Sequence, residues 1–297
     1  MQGITQDSLY AQPAAAAGSN FQVDIIDPDD NLNAPGAANV REQFVFDGDE
    51  TIRVRFATPK GSFDRTFAPS TYSGPNVDAL AGWTISSGPP TNAFGAWMAL
   101  WNVAKQVRTS GAVITNAYPS FVRLFSVIEQ QGFTNSVFNQ SFAFGLIGQA
   151  LPAADMPTSG VGSFAGGAFG LLSRNTPTGP EGWFFNGTSN ISVNFATSVG
   201  AVSGTITSTG YSGGPPAPPP IFVTTLAGDL NGSALAGTTA TTGLSAAALP
   251  GTFQGQIYGV KSQPSPFTSN LELGAVFQAR NQDVAIVGGL IAGDITP

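Results

Sequence analysis

The chain has 297 residues, long enough to bury a sizeable core and to divide into two domains. Charged residues make up 10% of it, against roughly 25% in ordinary soluble domains, and 37 Gly with 22 Pro favour short strands broken by turns over helices. A net charge of −7 with 11 Lys and Arg excludes nucleic-acid binding, and the absence of Cys and His excludes disulfides, thiolate metal sites and Ser-His-Asp or Cys-His catalysis.

Residues 1–20 are small and polar and read as a flexible leader. The start, MQGITQDSLYAQPAAAAGSN, has neither a basic n-region nor an apolar h-region, so export is expected of an already mature chain carrying an added Met1. No run of about eighteen apolar residues exists, so no transmembrane helix is expected.

Residues 21–150 read as a β-rich domain carrying one or two helices. NFQVDII alternates Phe21, Val23 and Ile25, and GSFDRTF alternates Phe63, Arg65 and Phe67. REQFVF and TIRVRFA flank Asp47-Gly48-Asp49 and predict a hairpin. In residues 93–107, Phe94, Trp97, Met98 and Trp101 fall at i, i+3, i+4, i+7 spacing and predict an amphipathic helix. Residues 119–131 fit a second helix ending before Gly132 or a strand alternating Phe121, Arg123 and Phe125.

Residues 151–297 lose nearly all charge, and eight or nine short strands with interior glycines follow one another in about 140 residues. That spacing predicts a meandering antiparallel barrel. PAPPP at 216–220 is incompatible with a central strand and reads as a stiff loop.

Several motifs in this half resemble transferrin-binding-protein-B-like barrel domains. Asp155-Met156-Pro157-Thr158-Ser159-Gly160 followed by Phe164, Gly166 and Gly167 is similar to that family's "MPTSG" run and first strand. Phe142, Phe144 and Gly145 resemble its "F-x-F-G" strand, and Val193–Ile206 its Gly-turned hairpin. Phe253, Gly255, Tyr258 and Gly259 resemble "G-x-F-x-G-x-F-Y-G". Glu272–Phe277 resembles "E-V-G-G-x-F", and Val287-Gly288-Gly289 the closing strand.

The resemblance covers about half the chain and implies an eight-stranded antiparallel barrel after a smaller handle-like domain. It also implies an exported, non-enzymatic binding protein on the outer-membrane surface of a Gram-negative bacterium, or secreted from it, recognising a host protein or small nutrient through loops. Matching Trp97 to the family's strand tryptophan would replace the helix at 93–107 with a strand. No lipobox Cys and no His are present, so the lipid anchor and His-ligated haem of such proteins have no residue here. A self-associating structural protein of a surface layer or filament is the alternative.

Few residues suggest chemistry. Asp27, Asp29, Asn31 and Asn33 place oxygens at alternate positions suited to Ca²⁺, but Leu32 replaces the EF-hand Gly and no Glu follows at the twelfth position. Asp, Asn and Pro are equally turn formers. Asp155, Glu181, Asp229, Glu272, Asp283 and Asp294 stand beside predicted turns or strand ends and read as solvated carboxylates rather than a glycosidase pair. Trp183 and Tyr211, near predicted loops, are candidate ligand contacts, with burial in the barrel wall as the structural reading of each.

Overall fold

A computed structural model describes residues 3–7, 14–18, 22–26, 51–58, 61–69, 84–87, 94–101, 103, 105–109, 112–117, 119, 121–134, 137–148, 150–177, 179–212, 221–259 and 271–296. In chain order the first strands are β1 (Gly3–Asp7), β2 (Ala14–Gly18), β3 (Gln22–Ile26), β4 (Thr51–Thr58), β5 (Gly61–Pro69) and β6 (Thr84–Ser87). They are followed by β7 (Phe94–Trp101), β8 (Lys105–Thr109), β9 (Ala112–Ala117), β10 (Val122–Thr134) and β11 (Val137–Gly148). The second half contributes β12 (Val161–Thr176), β13 (Gly179–Asn194), β14 (Val202–Ser212) and β15 (Val223–Asn231). Its last strands are β16 (Ala234–Thr242), β17 (Leu249–Gly259), β18 (Leu271–Arg280) and β19 (Val284–Asp294).

Nine strands of the first half form one sheet in the order β2-β1-β11-β10-β7-β6-β5-β4-β3. Two of them, β1 and β2, fall within the stretch read as a leader, and β1 pairs antiparallel with β11. The predicted hairpin arm REQFVF lies outside the described residues, and β4 pairs with β3 and β5.

The helix expected over 93–107 is overturned, since β7 and β8 occupy that segment. The reason lies in its surroundings: β7 is a central strand between β10 and β6. A central strand apolar toward both faces imitates a helical stripe over eight residues. Residues 119–131 take the strand alternative as part of β10. Among the described residues the one helical element is a 3-10 turn at Ala153–Asp155.

β12 through β19 follow one another as antiparallel neighbours, and β12 also pairs with β19, closing an eight-stranded barrel. GWFFNGTSN and the first four residues of ISVNFAT, two predicted strands, are one continuous β13 that ends at Asn194, with an irregularity in its pairing with β14 at Asn186/Gly187. The barrel sheet continues through Gly166↔Lys105 into β8 and β9, so two strands of the first half are hydrogen-bonded onto the second.

Alternation decides what faces inward. Phe164, Phe185, Ile206, Leu226, Leu235, Phe253, Phe277 and Leu290 belong to one buried cluster that fills the barrel. Large rings stand opposite glycines, which lets a narrow barrel hold them. A Cβ on Gly170 or Gly288 would meet the Phe185 ring at 2.6 or 3.1 Å, and one on Gly228 or Gly237 would meet Phe253 at 2.7 Å. Phe185 also packs edge-on to Phe222, with centroids 4.9 Å apart.

Candidate functional site

A second apolar cluster lies outside the barrel. Val122, Leu124, Phe144 and Leu146 of β10 and β11 pack on Phe169, Leu171, Val276, Val287 and Ile291, which point outward from β12, β18 and β19. Such burial is worth about 1.5–3 kcal/mol for each large side chain. Gly289 permits the close approach, because a Cβ there would come within 2.2 Å of Leu124. Phe169 stacks on Phe184 at 5.7 Å, at 12° between ring planes.

The main polar feature of the described residues sits in this junction. Glu272, the second residue of β18, faces outward beneath the first-half strands and is fully buried. Its Oε1 accepts a hydrogen bond from Lys105 Nζ, and its Oε2 accepts from the backbone N–H of Phe121 at 2.8 Å and of Val122 at 3.0 Å. The Lys105 side chain is 9% exposed, so both charges of this ion pair are desolvated. The reading of Glu272 as a solvated carboxylate is therefore corrected: the wall it stands on is covered by another sheet. With both oxygens engaged, this carboxylate is a fixed acceptor that ties three donors of the first half to the barrel.

Two other described carboxylates serve turns. Asp229 Oδ1 accepts from Gly200 N at 2.6 Å and holds the 195–200 loop, which Leu230 N also ties through Ser198 O at 2.9 Å. Asp294 Oδ1 accepts from Thr296 N at 2.8 Å. No group of three or more Asp, Glu, His or Cys converges among the described residues. Asp27, Asp29, Asn31 and Asn33, the candidate Ca²⁺ ligands, lie outside the described residues.

Trp183 lies on β13 rather than in a loop and is 2% exposed. It belongs to the barrel core, and the Arg174 guanidinium stands 5.5 Å from its ring centroid. Tyr211 lies in β14 opposite Phe185. Trp183 and Tyr211 stand on the neighbouring strands β13 and β14. Sequence reasoning missed Lys105 and the junction. A signal was present: the outward positions Val276, Val287 and Ile291 are apolar, which a solvated wall does not need.

Toward solvent, β13 to β17 present a different wall. Its outward positions include Asn190, Thr205, Thr225, Thr238 and Gln254. Asp229 is the one charged side chain on β14 to β16.

These features define a β protein with a side-chain-filled, closed eight-stranded barrel buttressed on one wall by a second sheet. No protein-family model and no curated protein matches the chain. Among solved structures it is similar to a mutant transferrin binding protein B from Haemophilus parasuis, at 12% identity and TM-score 0.40, covering 82% of this chain and 50% of that one. Intact Ap-TbpB, with N and C lobes, matches at 15% identity and TM-score 0.40, covering 82% and 52%. Isotype 1 transferrin binding protein B from serogroup B Neisseria meningitidis matches at 11% identity and TM-score 0.41, covering 82% and 49%. The chain spans about half the length of these proteins. The barrel assignment rests on the strand pairing itself.

Proposed function

We propose that this is a non-enzymatic binding protein, exported to the surface of a Gram-negative bacterium, that recognises a host protein or small nutrient through its loops. The observation that carries the reading is the filled barrel: a core of aromatic and aliphatic side chains occupies the interior, so recognition falls to the outer surface. The motifs shared with transferrin-binding-protein-B-like domains support the same class. Glu272, Asp229 and Asp294 are engaged in structural hydrogen bonds, which supports a non-catalytic role for these carboxylates. The test has two arms. Protease treatment of intact cells expressing the full chain should cleave it, and surface plasmon resonance should register binding of either transferrin or haemin. A chain protected in intact cells that also binds neither probe sinks the proposal.

A second reading, self-association into a surface layer or filament, is favoured by one observation. The solvent-facing wall of β14 to β16 is nearly uncharged and rich in Thr and Ala, so copies would meet without charge repulsion. Gel filtration with electron microscopy separates the two, since ordered polymers formed without ligand would favour the structural role.

A further inference from the structure

Four hydroxyl-bearing residues lie on adjacent strands inside the barrel, grouped around Ile206. Ser189 of β13 is the cross-strand partner of Ile206, and Ser208 that of Gly187. Ile206 pairs onward with Thr224 of β15, and Thr224 with Thr241 of β16. Ser208 N donates to Phe222 O at 3.0 Å, which places Ser208 one diagonal step from Thr224 as well as from Ser189. Exposure is 1% for Ser189, Ser208 and Thr241 and 0% for Thr224.

Two of these hydroxyls satisfy each other: Thr224 Oγ1 and Thr241 Oγ1 are 2.7 Å apart. The other two do not, for Ser189 Oγ and Ser208 Oγ are buried with no hydrogen-bond partner. A buried hydroxyl left dry loses its bond to water and gains nothing in return. Such groups in folded proteins are met by an ordered water wherever the site is polar and has room.

Gly187, which stands between Ser189 and Phe185 on β13, bears no side chain, and a Cβ built on it would lie 2.8 Å from Thr207 O and 3.6 Å from Ala168 Cβ. The nearest large rings in the strand pairing are Phe185, two residues before Gly187 on β13, and Phe222, across from Ser208. Diagonal cross-strand positions have Cα atoms about 7–8 Å apart, so two inward hydroxyls there span about two O–H···O bonds.

We propose that the barrel binds one ordered water molecule between the Ser189 and Ser208 hydroxyls, as an integral part of its core. The ligand class is a single neutral donor–acceptor of water's size. In the barrel this water joins β13 to β14 where their pairing is irregular, at Asn186/Gly187.

A crystal structure of the full chain at about 1.5 Å resolution, with thermal denaturation of variants, tests this. One water within about 3.2 Å of both oxygens is expected. Ser189→Ala and Ser208→Ala should each lower Tm by about 2 °C, and the double variant by less than their sum, because both singles disturb the same water. An empty site, serines turned onto strand carbonyls, or density larger than water overturns the proposal. So do single variants that each raise Tm, which is the behaviour of dry hydroxyls.

Discussion

The two walls of the barrel are built from the same kind of strand and obey different rules. β15 alternates buried and exposed positions, with Thr224, Leu226 and Leu230 buried and Thr225, Ala227 and Asp229 exposed. Ten of the eleven residues of β19 are buried, because its outward side chains meet β10 and β11. The contrast teaches that inward and outward are not equivalent to core and surface here. A strand of this barrel is half-buried or wholly buried according to whether the first-half sheet stands over it.

The largest effect should come from placing a charge on the covered wall. Val287 points away from the barrel interior yet is fully buried, and Val287→Asp would strand an unpaired carboxylate among Leu and Phe side chains. We expect a loss of about 4 kcal/mol or more, or failure to fold, measured by urea denaturation. Thr225→Asp, equally outward but on the bare wall, should change stability by about 1 kcal/mol or less. Similar losses for both would show that the covering sheet does not protect that wall.

Next in size is the junction itself. Glu272→Ala leaves the Lys105 ammonium and the N–H groups of Phe121 and Val122 buried without their acceptor. Breaking a buried pair in this way costs about 3–5 kcal/mol. The double variant Lys105→Met with Glu272→Leu should recover part of that loss, since no charge is then left stranded. A Glu272→Ala protein as stable as wild type would mean that the first half is not docked as described.

Much of this was legible in the sequence, and the failures have a common cause. The barrel could be read because interior glycines and Phe, Leu and Ile recur at two-residue spacing from Val161 to Asp294. What escaped was information carried by neighbouring elements. Trp97 and Met98 imitate a helix only because β7 is flanked on both sides. Glu272 reads as a turn carboxylate until β10 is placed over it, and Trp183 reads as a loop aromatic until β13 is seen to run unbroken through it. Periodicity reports the near neighbours of a residue along one strand, whereas the burial of the outer wall is set by strands 150 residues away.

A smaller effect should distinguish glycines that shape the barrel from those that do not. A Cβ on Gly251 would lie 1.8 Å from Gln278 O and 2.4 Å from Thr239 Oγ1, backbone and wall atoms that cannot both move aside. Gly251→Ala should therefore cost about 1–3 kcal/mol. Gly210→Ala meets nothing within 4 Å and should be neutral within about 0.5 kcal/mol. The comparison is read from denaturant midpoints at unchanged slope.

The smallest effect at neutral pH should be that of Tyr258→Phe, and it should grow on the alkaline side. Tyr258 packs in the junction rather than in the barrel interior, and burial raises its phenol well above the usual value near pH 10. In the unfolded chain the phenol releases its proton from about pH 10 upward, while in the folded chain it must keep it. The stability that depends on the neutral phenol is thus complete below about pH 10 and is lost as pH rises beyond it. Phenylalanine has no proton to lose, so the variant should match wild type at pH 7 and fall less steeply between about pH 10 and 11.5. Parallel stability curves for the two proteins across that interval would mean that water reaches Tyr258, and that the covered wall is open where the second sheet ends.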